Sequence, residues 1–395
     1  MLLSFAVTNF HSFADRTEVS LTLNKRDTVH GWDRQSSSGE RVTTALALLG
    51  ANGAGKSSLL KVGPFLSWFL QDSFDLKPTD NIPLMPHLSR KDEASEFEFE
   101  SDDGHGWRWR YVLRATTDRV LHEALYRRNV NPGDRYSYVF KRDWNGKGYT
   151  VRQQEFGLVD SEAAKVRDNV SLVSWGRQYG AQLAVHFSDF AVSSNIVAIG
   201  RAPSTNAMWD AAELFSESDA SQEMMRSLLR QWDLGLSDVR IQAVEAIAPG
   251  ETQSRTRWFP FGVHHVRGKE FMLPFVFESS GTQTAFILLS RLLPTLHLGG
   301  MAFIDELESD LHPHMIEPIL KLFHDRQTNP RGAQLIFTCQ SPEVLRVLQR
   351  AQVVFIEKTD CESVAYRGDD IVGLDASHNL YAKYMSGALG AVPQL

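Results

Sequence analysis

Nine residues, Gly50-Ala51-Asn52-Gly53-Ala54-Gly55-Lys56-Ser57-Ser58, constrain this chain more than any other feature. They fit the pattern G-x-x-x-x-G-K-[ST], a P-loop, and their context agrees. Ala45 to Leu49 before them reads as a buried strand, and Ser58-Leu59-Leu60-Lys61 after them opens a helix. Glycines in such a loop let backbone N–H groups close around phosphate oxygens, and the following helix adds partial positive charge. Lys56 is then expected to reach the β- and γ-phosphates, and the Ser57 hydroxyl to hold Mg²⁺. The expected cofactors are ATP and Mg²⁺, with Gly50, Asn52, Gly53, Gly55 and Ser58 completing the cradle. The expected fold is α/β.

Far downstream, Gly300-Met301-Ala302-Phe303-Ile304-Asp305-Glu306 is an apolar strand that ends in two acids. Asp305 is placed to complete the Mg²⁺ shell, and Glu306 to orient or deprotonate a water beside the γ-phosphate. Some twenty residues earlier, Ser279-Ser280-Gly281-Thr282 precedes an apolar helix running from Thr284 to Leu293. A small, hydroxyl-rich turn at a helix start is a second phosphate-binding device, although Ser/Gly turns also cap ordinary helices.

In this order the three elements resemble ABC-class ATPases, with Ser279–Thr282 in the place of the signature motif. Leu307 to Pro313 resembles the D-loop region, and Gln334 to Glu343 the switch region, of that class. Phe5-Ala6-Val7-Thr8-Asn9-Phe10-His11-Ser12-Phe13 is similar to the opening strand and turn of SMC- and RecF-like heads. Tyr381 to Pro393 is similar to the closing segment of bacterial ATPases of abortive-infection and related anti-phage systems, among them the ATPase part of overcoming-lysogenization-defect proteins. The resemblance covers roughly residues 1–75 and 265–395.

The resemblance implies a homodimer or higher homo-oligomer in which two heads face each other. Lys56, Ser57, Asp305 and Glu306 of one head would meet Ser279 and Gly281 of the other across ATP. It also implies a switch that controls a separate effector, a nuclease or toxin, in antiviral defence. The alternative is a RecF-like repair ATPase that clamps DNA. One residue departs from the pattern. The family usually carries His where this chain has Gln340, before Ser341-Pro342. A Gln amide donates a hydrogen bond but neither carries charge nor shuttles a proton. Gln340 is therefore expected to sense the γ-phosphate in a slow ATPase.

The expected organisation is an ATPase head built from residues 1–75 and 265–395, with an α+β insert over 76–264. Strands are expected at Leu2–Thr8 and Glu18–Leu23, and a loop or hairpin from Lys25 to Glu40. Residues 72–95 read as a linker, and Glu96 to Val151 as mostly strand. Residues 161–235 read as helical, clearest over Ala211–Leu229. Strands follow at 239–247 and 270–277, with a turn from Val263 to Lys269. No sustained heptads lie between the P-loop and the signature, so long coiled-coil arms are not expected. The chain ends soon after the ATPase motifs, so a nuclease activity is expected on a separate partner.

Between Trp107 and Arg152, eleven Lys or Arg face four acids, although the whole chain carries −7. Aromatics interleave with these cations, and contact with nucleic acid is one reading. The outer face of a half-buried sheet is the reading preferred here, because alternation is what such strands show. The pairs His264-His265 and His312/His314 lack the convergent ligand framework of a zinc site. Two distant cysteines, no run of eighteen apolar residues and no basic-then-apolar start lead to the expectation of a reduced, cytoplasmic protein without a membrane span.

Overall fold

The computed structural model describes residues 1–25, 27, 29–131, 133–197, 200–201, 206–246, 255–375 and 377–392. Its centre is a six-stranded sheet ordered Val192–Ser194, Met301–Ile304, Gln334–Cys339, Ala45–Leu49, Val353–Thr359, Glu362–Arg367. The first five strands are parallel, and the last returns antiparallel. Ala45–Leu49 and Gln334–Cys339 are buried along their whole length, as strands covered on both faces must be.

Successive side chains of a strand point to opposite faces, and this alternation divides the protein into two cores. Leu46, Leu48, Phe303 and Ile336 enter one core, with Leu59, Phe65 and Phe69 from the helices after the P-loop. Ala45, Ala47, Leu49, Ala302, Ile304, Leu335 and Phe337 enter the other. There they meet the helices Ser280–Leu298 and Ile316–His324 through residues such as Phe286, Leu289, Ile319 and Phe323. At 19 residues, Ser280–Leu298 is the longest helix among the described residues, so no coiled-coil arm is built from them.

A seven-stranded antiparallel sheet closes the first core. Its order is Tyr149–Gln153, Ser137–Trp144, Val120–Asn129, Trp107–Ala115, Ser95–Asp102, Leu2–Thr8, Thr17–Ser20. Leu2–Thr8 thus pairs directly with Ser95–Asp102, in a register that sets Phe5 opposite Phe99. Hydrogen bonds therefore run across the division expected at 75/76. A second crossing is Val192–Ser194, an edge strand of the six-stranded sheet supplied from within 76–264. A third is the antiparallel sheet Asp238–Ala246, Arg255–Val266, Lys269–Pro274, which spans the division expected at 264/265.

The alternating Glu and Arg residues of 96–114 form a ladder on the outer face of the seven-stranded sheet. Arg114 meets Glu96 at 3.3 Å, and Arg110 meets Glu98 at 3.5 Å and Glu100 at 2.5 Å. Arg108 meets Glu100 at 2.5 Å. Trp109, Tyr111, Leu113, Phe97 and Phe99 fill the inner face. For this stretch the structure matches the sheet-face reading.

Four local expectations are corrected. The strand expected over Glu18–Leu23 breaks at Leu21 into Thr17–Ser20 and Thr22–Leu23, which join different sheets. The helical stretch 161–235 is interrupted by the strands Val192–Ser194, Ile196–Val197 and Gly200–Arg201. Ala211–Leu229 is two helices, Ala207–Ser216 and Asp219–Gln231. The break falls at Ser218, which is extended and whose Oγ accepts from the Ser221 N–H at 3.3 Å, an N-cap for the second helix. The turn expected over Val263–Lys269 shrinks to Arg267 and Gly268. Both have positive φ (51° and 76°), as the tightest right-twisted hairpin turns require. Residue 247 of an expected strand and Pro393 of the closing segment lie outside the described residues.

One buried polar cluster fastens helix Leu172–Gln178 to the seven-stranded sheet. Glu123 is 0% exposed and accepts from Tyr111 Oη (2.9 Å), Ser171 Oγ (2.6 Å) and the Leu172 N–H (2.9 Å). Arg142, also 0% exposed, lies 3.7 Å away and donates to the carbonyls of Val170 and Arg167. Truncating Glu123 strands both the arginine and the cap donors. Glu123→Ala should cost roughly 3–5 kcal/mol in urea unfolding, the usual penalty for half of a buried pair; a loss below about 1 kcal/mol would show that the cluster does not hold this helix.

Candidate nucleotide site

Parallel strands end on one edge of a sheet, and the loops there converge. Here that edge gathers Gly50 after Leu49, Asp305 after Ile304, Gln340 after Cys339 and Asn195 after Ser194. Two loop glycines are required by contacts. A Cβ on Gly50 would lie 2.3 Å from the Ile356 carbonyl oxygen. Gly55 has φ of 112°, and a Cβ there would meet Ser363 Oγ at 2.5 Å and Ser12 Oγ at 2.7 Å. These two serines brace the loop from behind. Ser363 Oγ donates to the Ala54 carbonyl at 2.6 Å and lies 2.8 Å from Ser12 Oγ.

Lys56 opens the helix Lys56–Leu60 and folds back over its own loop. Its Nζ donates to the carbonyls of Gly50 (2.8 Å) and Ala51 (3.0 Å), and the residue is 6% exposed. Burial lowers its pKa from the ordinary lysine value, opposed by the carboxylates of Glu308 and Asp305. Asn52 and Gly53 stand exposed at the rim, with Ser57 and Ser58 half-buried in the first helical turn.

Asp305 is the hub of the site. Its Oδ1 accepts from Ser57 Oγ at 2.8 Å and from Thr338 Oγ1 at 2.7 Å. Its backbone is held by one side-chain amide: Asp305 N–H donates to Asn195 Oδ1 (2.7 Å), and Asn195 Nδ2 donates to the Asp305 carbonyl (2.8 Å). Thr338 serves Glu306 as well, accepting its N–H at 2.7 Å. Glu306 adopts φ of 50°, a left-handed backbone that is uncommon for a non-glycine residue. Gln340 Nε2 donates to Glu306 Oε1 at 3.2 Å, and the Gln340 N–H donates to Glu308 at 2.5 Å. Ser57 Oγ and Asp305 Oδ1 are hard oxygen donors side by side, a set that suits Mg²⁺.

The structure thus brings together Lys56, Ser57, Asp305, Glu306 and Gln340, and sets Ser279 and Gly281 apart. Ser279 is the N-cap of helix Ser280–Leu298, its Oγ accepting from the Thr282 N–H at 3.2 Å. A Cβ on Gly281 would lie 3.0 Å from the carbonyl oxygen of Asp310. Among the described residues no hydrogen bond joins Ser279 or Gly281 to Gly50–Ser58, and Ser279 and Ser280 are exposed. Asn195 and Thr338 were not identified from sequence. Thr338 had a readable signal, a lone hydroxyl in the apolar strand Leu335–Cys339. Asn195 had none, because its three-residue strand lay inside a stretch that read as helix.

The histidine pairs have other partners. His264 contacts Glu278 and the Gly235 carbonyl, and His312 accepts from the His314 N–H. Among the described residues no group of three or more His, Cys, Asp or Glu could hold a metal ion.

A parallel sheet with a P-loop on one strand and an acid pair on another defines a P-loop nucleotide-binding protein. The family model described as "AAA domain, putative AbiEii toxin, Type IV TA system" matches residues 46–346, and the chain belongs to that family. The SMC head domain from Thermotoga maritima is 11% identical, with 93% of this chain and 98% of that one covered and a TM-score of 0.42. An SMC head bound to the C-winged helix domain of ScpA is 10% identical, with 93% and 97% covered and a TM-score of 0.46. The recombination mediator protein RecF with ATPrS is 10% identical, with 92% and 98% covered and a TM-score of 0.37. Likenesses this remote say nothing of function. A search of the curated proteins finds no match.

Thr338→Val keeps the shape of the strand but removes the donor to Asp305 and the acceptor for Glu306. It should weaken Mg²⁺-ATP binding by about 1.5–3 kcal/mol, roughly 10- to 100-fold, with less effect on ATP binding in EDTA. Equal affinity of the variant and the parent for Mg²⁺-ATP in a fluorescent-nucleotide titration would contradict this role.

Proposed function

We propose that this protein is a slow ATPase working as a switch. In this reading Lys56, with the Gly50, Asn52, Gly53, Gly55 and Ser58 loop, holds the ATP phosphates, and Ser57 and Asp305 hold Mg²⁺. Glu306 orients the attacking water. Gln340, whose amide is bonded to Glu306, donates to the γ-phosphate. The observation that carries the reading is the hydrogen-bonded chain Ser57–Asp305–Thr338–Glu306, which ties the P-loop to the acid pair. Mg²⁺ would shield the phosphate charge that collects there.

Ser279 and Gly281 complete the site of a second copy. Two features support a partner at that surface. The signature turn is exposed, and the residues before it are apolar and open to solvent: Val276 is 47% and Phe277 72% exposed. Exposed apolar residues beside a phosphate-binding turn suit a protein interface. ATP touching both copies would close the homodimer, and hydrolysis would release it. The family description names a toxin and a toxin–antitoxin system, which supports a link to defence; in our reading the protein is an anti-phage switch that governs a separate toxic effector. We place it in the cytoplasm; among the described residues no helix is long and apolar enough to cross a membrane, and both cysteines are free.

A second reading, a DNA-clamping ATPase, is favoured by the far strands of the seven-stranded sheet. Lys141 lies over the rings of Tyr126 and Tyr138, and Arg128 over that of Tyr136, an interleaving of cations and aromatics of the kind that binds nucleic acid. ATP-dependent, salt-sensitive DNA binding with no effector bound would move the assignment there.

Glu306→Gln keeps every phosphate and Mg²⁺ ligand but loses the carboxylate that orients the water, so it should retain ATP, stall turnover and double in mass with ATP-Mg²⁺. Normal turnover in this variant would refute the role of Glu306. If the missing imidazole is what slows the enzyme, Gln340→His should hydrolyse faster than the parent, and an unchanged or lower rate would remove that explanation.

A further inference from the structure

One side chain, that of Glu278, ties the signature turn back to the neighbouring three-stranded sheet. Glu278 directly precedes Ser279, and its carboxyl group is turned back into the sheet rather than out to solvent; the side chain is 7% exposed. It occupies a slot that exists because residue 262 has no side chain. A Cβ on Gly262 would lie 2.1 Å from Glu278 Oε1 and 2.8 Å from Leu236 Cδ2. Two residues along the same strand, His264 Nε2 meets Glu278 Oε1 at 2.7 Å. The other ring nitrogen, Nδ1, lies 3.1 Å from the carbonyl oxygen of Gly235. Both neighbours of the ring are acceptors, so the imidazole is held from its two nitrogens.

The same residue organises the turn through its backbone. Gln283, the residue directly after the motif, donates from Nε2 to the Glu278 carbonyl at 2.9 Å. Glu278 N–H donates to the Phe275 carbonyl at 3.0 Å. Glu278 is thus fixed at both ends, its side chain in the sheet and its backbone at the start of the helix. Ser279 and Gly281 follow on the next three residues and inherit that orientation. A carboxylate buried to this degree is costly to leave without a partner, so the slot and the histidine act as a unit.

We propose that Glu278 and His264 are positioning residues for the signature turn, holding Ser279 and Gly281 in the orientation in which a second copy's nucleotide can meet them. The proposal rests on the reading that Ser279 and Gly281 serve a second copy. A phosphate-binding turn contributes only if its donors are already aimed, because ordering it on contact subtracts from the binding free energy. Among the described residues the bonds of the pair run to the sheet and the signature helix, so its loss should separate two properties that loss of a phosphate ligand would impair together.

The test uses the full chain in the Glu306→Gln background. His264→Ala should leave the affinity of each chain for a fluorescent ATP analogue within about twofold of the parent, while ATP-Mg²⁺-driven dimerisation, read by sedimentation, weakens roughly tenfold or more. His264→Gln keeps a donor for Glu278 and should recover most of the loss. Glu278→Gln, which keeps the length of the side chain and a polar partner for His264, should weaken dimerisation less than Glu278→Ala. In chains that retain Glu306, His264→Ala should raise the protein concentration needed for half-maximal turnover without a matching change in KM for ATP. Amide hydrogen exchange at residues 280–283 should quicken in His264→Ala and slow again in His264→Gln. Dimerisation of His264→Ala as tight as the parent's would overturn the proposal. If the parent itself stays monomeric with ATP, the two-head reading falls, and exchange at 280–283 judges the brace separately: unchanged protection in His264→Ala would overturn it.

Discussion

A carboxylate buried at the end of a parallel strand must be surrounded by donors, and the donors around Asp305 come from distant parts of the chain. Ser57, from the P-loop helix, and Thr338, from the next strand of the sheet, donate to the carboxylate, while Asn195, just after the strand on the other side, holds the Asp305 backbone. Each bond is ordinary. Together they tie the phosphate loop to the acid pair and to both neighbouring strands, so that none of these segments can shift without disturbing the carboxylate. Glu306 is part of the same arrangement, since its left-handed backbone is held by Thr338.

This hub depends on sheet order. Only a parallel arrangement puts the ends of Val192–Ser194, Met301–Ile304, Gln334–Cys339 and Ala45–Leu49 on one edge. The order is in turn stabilised by two cores of opposite-facing side chains from the same strands. Placing Leu46 and Leu48 in one core and Ala45, Ala47 and Leu49 in the other follows from a period of two, and slipping the strand by one residue would exchange the faces. On the second face Ile316–His324 packs over Ala45–Leu49, and the signature helix Ser280–Leu298 over Met301–Ile304. That helix carries its motif to an exposed end, beside Asp310 rather than beside the P-loop.

The legible parts of this protein are those whose chemistry is contiguous. The P-loop, the strand ending in Asp305 and Glu306, and the Ser279 cap each occupy fewer than ten successive residues, and each stands at the end of an element that its own residues define. The parts that escaped the sequence are those set by partners. Val192–Ser194 is a strand because Met301–Ile304 pairs with it, not because three residues favour it, and Asn195 was hidden with it. Strand pairing spans the divisions at 75/76 and 264/265: at the first it joins segments some ninety residues apart and leaves no local mark, and at the second it is a hairpin turning at Arg267 and Gly268. The arginine-rich stretch also becomes intelligible only once Glu96, Glu98 and Glu100 stand opposite it. Position 218 shows the converse: Ser218 carried a capping signal that helical spacing on either side outweighed.

The central claim is that the P-loop of one copy works with the signature turn of another. Two variants, each inactive alone, test it directly: Lys56→Ala, which spoils the P-loop, and Gly281→Asp, which sets a negative charge in the signature turn. In a mixed dimer one site receives both lesions and the other receives neither. The account predicts that mixing the two inactive proteins restores ATP hydrolysis. If the mixture stays as inactive as its components while each variant still folds, the two elements do not act across a pair of copies, and the claim is wrong.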